Sequence, residues 1–330
     1  MRKRLFKILV TGGAGFIGSA FTRVALRKGY KVIVADKLTY AADRARLADI
    51  EKEYKFYKAD ICDKRRMELI FREERPEAII NFAAETHVDR SIKNPGSFMV
   101  NNVLGIQSLL DISRMYKAIK LIQISTDEVY GEISRGKFTE DSPLKPNNPY
   151  AASKAAADLL IKSYIRTYGF PAIVIRPCNN YGPWQYPEKF IPLAILRILK
   201  GEKIPVYGKG INVREWLYVT DCAEGILRIM EKGKIGEIYN LGSREQKKNI
   251  EIATMVSGIL KRDKDAIEFV QDRPGHDIRY SLNSEKVFRE FGWRPKVKLK
   301  DGLMGLVDWC TKHRKWLFSK YRNVRLLYKG

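Results

Sequence analysis

Apolar and polar positions alternate in blocks along the first half of the chain. Short apolar runs fall at Phe6–Val10, Lys31–Ala35, Lys55–Tyr57, Ala78–Phe82, Lys120–Ile124 and Ala172–Ile175. Longer amphipathic runs fill the gaps, notably Phe16–Lys28, Lys64–Glu74, Phe98–Tyr116 and Tyr150–Tyr168. Runs apolar at most positions fit strands buried on both faces, and the longer runs fit helices. Strand and helix in alternation imply right-handed crossovers and an α/β fold with a doubly wound parallel sheet.

The rhythm changes after Arg176. Pro177, Pro183, Pro187, Pro192 and Pro205 break the chain into short pieces, and a second cluster follows at Asp272-Arg273-Pro274-Gly275-His276. A helix-rich segment near Pro192–Lys200 lies between. This predicts a dinucleotide-binding domain over 1–176 that carries the catalytic residues. Residues 177–330 form mainly a smaller ligand-binding lobe, with possible return segments to the sheet. A cleft between the two would open at the carboxyl ends of the strands.

Composition narrows the class. The 330 residues leave room for a sizeable core. The opening MRKRLFKILVTGG has an apolar run too short for a signal segment, and no stretch is long enough to cross a membrane. A soluble, cytoplasmic protein is expected. Cys62, Cys178, Cys222 and Cys310 form no CxxC pair, and His87, His276 and His313 are scattered, so no metal site is expected.

The net charge of +23 admits a polyanionic partner or a merely basic surface. Basic residues are spread along the chain without a nucleic-acid motif, so no nucleic acid is expected. The tail Lys312–Lys329 is distinct. It holds seven basic residues, no acidic ones, and Trp316, Phe318, Tyr321 and Tyr328 between them. It could lie on a membrane surface, but a terminal helix packing its aromatic side on the body is the commoner outcome.

Val10-Thr11-Gly12-Gly13-Ala14-Gly15-Phe16-Ile17-Gly18 follows the first strand and opens the first helix. Glycines allow a tight turn and close backbone approach to a pyrophosphate, and the helix N-terminus offers amides and partial positive charge. Asp36 ends the second strand, where a carboxylate accepts from ribose hydroxyls and repels a 2′-phosphate. That favours NAD over NADP in a Rossmann-type domain. Lys37 is adjacent, and a solvated lysine is the ordinary outcome there.

Tyr150 and Lys154 stand four apart and share one helical face. A nearby ammonium and a cationic nicotinamide would lower the phenol from its usual value near 10. Tyr150 could then take a proton from a hydroxyl as hydride leaves the same carbon. Ser125-Thr126-Asp127-Glu128 follows the fifth strand. Two carboxyls in different environments can divide acid and base roles.

TGGAGFIGS, AAETHVDRSI, ISTDEVYG, NPYAASKAAAD, CNNYGPWQYPEKFIP, PVYGKGINVREWLYVTD and DRPGHDIRY occur in that order. On these segments the chain resembles the extended short-chain dehydrogenase/reductase family, and within it the nucleotide-sugar 4,6-dehydratases, those acting on dTDP-glucose foremost. The resemblance implies that Thr126 bonds the sugar C4 hydroxyl and Tyr150 is the base, assisted by Lys154. It gives Glu128 the C5 proton and Asp127 the departing C6 hydroxyl. Asp60 and Ile61 should meet adenine, while Ala83, Ala84, Asn101, Ser125 and Asn180 should line the NAD channel. Thr86, Asn179, Lys189, Phe190, Pro205, Tyr207, Arg214, Asn249, Arg273 and His276 should surround a nucleotide diphosphate-sugar. The helices near 98–116 and 150–168 resemble the pair that builds homodimers in the family. A 4-epimerase, which needs no Asp127–Glu128 pair, and a dehydratase of UDP-glucose are the neighbouring readings.

Overall fold

The computed structural model describes residues 6–116, 120–262, 264–321 and 324. The first half runs β1 (Lys7–Thr11), α1 (Phe16–Arg27), β2 (Lys31–Asp36), β3 (Lys55–Lys58), α2 (Lys64–Glu74), β4 (Ala78–Asn81), α3 (Val88–Lys93), α4 (Pro95–Met99), α5 (Gly105–Met115), β5 (Lys120–Ile124), α6 (Pro149–Tyr168) and β6 (Ala172–Pro177). The second half runs β7 (Asn179–Tyr181), α7 (Phe190–Leu199), β8 (Ile204–Tyr207), β9 (Val213–Tyr218), α8 (Val219–Lys232), β10 (Ile238–Leu241), β11 (Gln246–Lys248), α9 (Asn249–Ile259), β12 (Ile267–Val270), α10 (Glu285–Phe291), α11 (Leu299–Lys312) and α12 (Arg314–Ser319).

Seven strands form one parallel sheet in the order β10-β6-β5-β4-β1-β2-β3. Successive residues of a strand serve opposite faces. Ile8 and Val10 of β1 join one core layer with Phe21 of α1 and Ile226 of α8. Leu9 between them joins the other, with Ile70 of α2, Leu109 of α5 and Ile161 of α6. This two-sided burial is why the strands read as continuous apolar runs.

The chain beyond residue 177 returns to the sheet. β10 pairs in parallel with β6, and Phe288 and Trp293 enter the same core layer as Ile8. The rest of the second half builds its own core from α7, β8, β9, α9 and α11, where Ile195, Val206, Trp216, Ile252 and Leu303 meet. Among the described residues, no helix is long and apolar enough to cross a membrane.

The expected helix at Phe98–Tyr116 is interrupted. α4 and α5 are joined by a π-helical turn, Val100–Leu104. Such widened turns re-aim side chains. Here Asn101 faces the cleft, while Asn102 Oδ1 accepts the Glu85 amide at 2.8 Å and its Nδ2 donates to Ser153 Oγ at 2.9 Å.

Candidate active site

The sheet order reverses between β1 and β4, and a cleft opens there at the strands' carboxyl ends. Its empty space, open mouth included, is about 1550 Å³, enough for a dinucleotide with a second ligand. Gly12 turns the chain out of β1 with φ +69°. A Cβ on Gly12 would lie 2.5 Å from the Ala83 nitrogen, so only glycine permits this approach to the end of β4. A Cβ on Gly18 would lie 2.3 Å from the Gly12 carbonyl oxygen. Gly15 caps α1, and the first-turn amides at Phe16 and Ile17 stand where a phosphate would meet them.

Asp36 is buried at the end of β2. Its Oδ2 accepts the Ala14 amide at 3.0 Å and its Oδ1 the Leu38 amide at 2.8 Å. Burial raises its pKa, and the two amides oppose that. Lys37 is partly exposed and is held on both sides rather than free in solvent. Its Nζ lies 3.5 Å from Asp60 Oδ2 and donates to Asn101 Oδ1, which ties the end of β2 to the π-helical turn. Ile61, Ala83, Ala84, Ser125 and Asn180 line the same cleft. The set suits a dinucleotide: a cradle that a Cβ would fill, helix amides and a carboxylate at ribose position.

α6 begins as its sequence demands. Asn148 Oδ1 caps it by accepting the Ala151 amide at 2.9 Å, and Pro149 fills the first position, where no amide proton is needed. This start puts Tyr150 and Lys154 side by side at the cleft. Lys154 Nζ donates to the Ile124 carbonyl at 2.6 Å. Burial lowers the Lys154 pKa to about 8, against the opposing pull of Asp158. Asp158 is itself held by Arg176 Nε at 2.9 Å and Ser125 Oγ at 3.0 Å.

The Tyr150 phenol is shifted by the protein's own groups alone in the direction opposite to the one a bound nicotinamide would give. Burial, then the charge of Glu128, push its pKa up rather than down, and only the Thr126 bond opposes them. One N–H of the Lys154 ammonium is directed at the Ile124 carbonyl.

Thr126 caps the short 3₁₀ turn Asp127–Tyr130, accepting the Glu128 amide at 3.3 Å. Its hydroxyl also reaches Asp127 Oδ1 at 3.3 Å and the Tyr150 phenol. Asp127 is 2% exposed, and its Oδ2 has no hydrogen-bond partner among the described residues. Burial raises its pKa well above the carboxylate range, and the charges of Glu128 and Glu215 add to this. The half-buried Glu128 accepts from the capping Asn148 at 3.3 Å. The pair therefore sits in two environments, one carboxyl buried and biased toward its protonated form, the other facing the cleft.

The residues expected around the sugar divide into two groups. Thr86, Asn179 and Lys189 line the cleft, with Lys189 Nζ donating to the Thr86 carbonyl at 2.8 Å. Phe190, Pro205, Tyr207, Arg214, Asn249, Arg273 and His276 lie outside the cleft lining, on the second lobe. Asp89 joins part of that group to α3. It accepts from Tyr207 at 3.2 Å and from Arg273 at 3.3 Å. His276 sits edge-on to Tyr207 at 5.9 Å, with its pKa lowered to about 4 by burial and then by Arg273. Arg214 donates to the Asp277 carbonyl at 2.8 Å, and its guanidinium lies 4.2 Å over the Tyr280 ring. Asn249 opens α9, Phe190 opens α7, and Pro205 is two residues from Tyr207 on β8.

The family model described as GDP-mannose 4,6 dehydratase matches residues 9–305. The chain is 42% identical to a dTDP-glucose 4,6-dehydratase of Neisseria meningitidis serogroup B, over 97% of this chain and 98% of that protein. The chain belongs to the nucleotide-sugar 4,6-dehydratase family. The fold of this 4,6-dehydratase matches the crystal structure of dTDP-glucose 4,6-dehydratase from Bacillus anthracis in complex with NAD, with TM-score 0.90 and 44% identity, over 96% of this chain and 99% of that one. It also matches the Streptomyces venezuelae dTDP-glucose 4,6-dehydratase solved with NAD bound, with TM-score 0.92 and 44% identity, over 94% and 98%.

Some cleft residues of this 4,6-dehydratase carry no signal of their own in the sequence. Thr39, Ala41 and Ala42 line the cleft after Asp36, and Gln185, Tyr186 and Glu188 line it beside them, Tyr40 donating to Glu188 at 2.9 Å and packing edge-on to Tyr186. The first three follow Asp36, and the last three stand inside the CNNYGPWQYPEKFIP segment, which is the hint the sequence offers. Asp89 sits within AAETHVDRSI, but nothing local shows that it meets Tyr207 and Arg273 more than a hundred residues away.

Proposed function

We propose that this enzyme converts dTDP-glucose to its 4-keto-6-deoxy product by removing one water, with NAD regenerated in each cycle. The observation that carries this is the Asp127 carboxyl, buried with an unpartnered Oδ2 beside Glu128 and within reach, through Thr126, of Tyr150. Simple alcohol oxidation uses a tyrosine and a lysine. A protonated carboxyl beside a second carboxyl is what elimination adds.

NAD⁺, held by the Gly12–Gly18 turn, Asp36, Lys37 and Lys154, supplies the hydride acceptor at C4 and the donor at C6. The protein's own groups handle the protons. Tyr150, whose phenol a bound cationic nicotinamide would bring back down against the burial that raises it, takes the proton of the C4 hydroxyl, leaving a ketone that acidifies C5. Glu128 removes the C5 proton, while Asp127 gives its proton to the C6 hydroxyl, which leaves as water. Glu128 then returns its proton to C5. Tyr150 has gained a proton and Asp127 has lost one. Thr126, bonded to both, is placed to carry that proton back. Lys189 on the cleft wall supplies a cation for the diphosphate, and Arg273, paired with Asp89 outside that lining, would have to turn from it to supply a second. Incubation with dTDP-, UDP-, CDP- and GDP-hexoses, with product mass as the readout, tests the substrate. A preference for UDP-glucose would overturn the choice of base.

The pH dependence follows from Lys154. Its ammonium is present below about 8 and is lost as pH rises through that value. Turnover should therefore fall above about pH 8, and Asp158→Asn should move this limb to lower pH by removing the charge that favours the cation. Stability should move oppositely. Between the folded value of about 8 and the ordinary 10.5, the unfolded chain binds more protons, so this group's contribution rises with pH. A rate profile flat to pH 10 would contradict the role given to Lys154.

The enzyme also carries an apolar face suited to a second copy of itself. Met99, Leu104 and Leu159, on α4, the π-helical turn and α6, are 46%, 53% and 57% exposed. We place the homodimer contact there. Leu104→Glu should shift the particle to the monomer mass in light scattering, and an unchanged dimer would move the contact elsewhere.

A further inference from the structure

The aromatic residues of the basic tail form a strap that packs on Trp184 and Trp309 and reaches Asp43 in the segment after β2. The Trp184 indole lies 4.9 Å from that of Trp309 and 5.2 Å from that of Trp316, and His313 stacks on Trp309 at 4.3 Å. Leu317 is fully buried in the second core, and Lys200 sits 4.3 Å over the Tyr321 ring. Tyr328 lies outside the described residues.

The polar edge of this strap holds one carboxylate. Trp316 Nε1 donates to Asp43 Oδ2 at 2.8 Å, and Lys320 Nζ lies 2.9 Å from the same oxygen. Burial acts to raise the Asp43 pKa, but the bonds from Trp316 and Lys320 overcome it, so Asp43 stays ionised. The Asp43 amide in turn donates to the Ala14 carbonyl at 3.0 Å. Arg46, fully buried, donates to the same carbonyl at 2.7 Å, to Ala41 at 2.7 Å and to Trp184 at 3.1 Å. Ala14 is in the glycine-rich turn, and its own amide holds Asp36. An unbroken chain of hydrogen bonds thus runs from Trp316 to Asp36.

We infer that Trp316 and Lys320 are positioning residues for the dinucleotide turn: they fix Asp43, which sets the Ala14 peptide and through it the Asp36 carboxylate. The inference rests on the reading of this cleft as an NAD site. A surface loop such as 39–46 opens locally at low cost unless it is tied to the body. The strap ties it by a charged bond to a segment anchored in the second core. Opening the cofactor end then requires breaking that bond, so the strap slows cofactor loss rather than the chemistry.

Exchange of the resident NAD for isotopically labelled NAD in the holoenzyme tests this. Trp316→Phe keeps a ring but removes the donor, and Asp43→Asn removes the charge. Each should exchange about tenfold faster, the scale of one lost hydrogen bond to a charged group. At saturating NAD their kcat should stay within about twofold of the parent on that argument. Trp309→Phe disturbs the same ring stack without touching Asp43 and should exchange at the parent rate. Parent-rate exchange in both Trp316→Phe and Asp43→Asn overturns the inference. So does equally fast exchange in Trp309→Phe, which would make packing the cause. A parent enzyme that holds no NAD would instead sink the cofactor reading itself.

Discussion

Asp127→Asn combined with Glu128→Gln is expected to leave oxidation at C4 running while water loss slows by roughly 10³-fold or more, the scale set by removing an acid and a base. The two steps use different groups. Tyr150 and Lys154 stand on α6, positioned by the Asn148 cap, whose Nδ2 bond to Glu128 a glutamine carbonyl can equally accept. Asp127 and Glu128 stand on the turn after β5, and their amides replace the carboxyls with little change in shape. The loss of the Glu128 charge also relieves the Tyr150 phenol, whose pKa that charge raises. Oxidation should therefore survive or improve. The reduced cofactor, followed by its absorbance, and the 4-keto sugar, trapped by borodeuteride, should both accumulate. Dehydration at the parent rate in this variant would remove the carboxyl pair from the mechanism.

Tyr150→Phe should abolish both steps, with turnover down by about 10²- to 10⁴-fold, the usual contribution of a positioned base. Phenylalanine fills the same buried site against Phe98, 6.3 Å away, so the fold should persist. No ketone forms without proton removal at C4, and without the ketone C5 is not acidic. This variant should show neither reduced cofactor nor product, whereas the carboxyl double variant shows the first without the second. Equal behaviour of the two would mean that oxidation and elimination are not separate steps here.

Much of the fold was legible because burial on both faces of a parallel sheet leaves a plain mark. The runs at Phe6–Val10 and Lys31–Ala35 became β1 and β2 with shifts of one residue. The glycine turn and the Tyr150–Lys154 pair were legible because their chemistry depends on spacing within a few residues. What depends on distant chain was not. Trp316 meets Asp43 across 273 positions, and β10 reaches β6 from the far half of the chain. Lys37 looked like a surface lysine until the π-helical turn brought Asn101 against it. The direction of the Tyr150 shift was hidden for a related reason. Spacing shows that Lys154 is near, but not that its ammonium turns to the Ile124 carbonyl while Glu128 faces the phenol.

The most direct test of the account is the mass of the product formed from dTDP-glucose by the purified holoenzyme, with no reductant added. The account predicts a nucleotide sugar lighter by one water, carrying a ketone, with no net change in NAD. A product of unchanged mass would mean epimerisation, and would contradict the acid role that burial gives to Asp127.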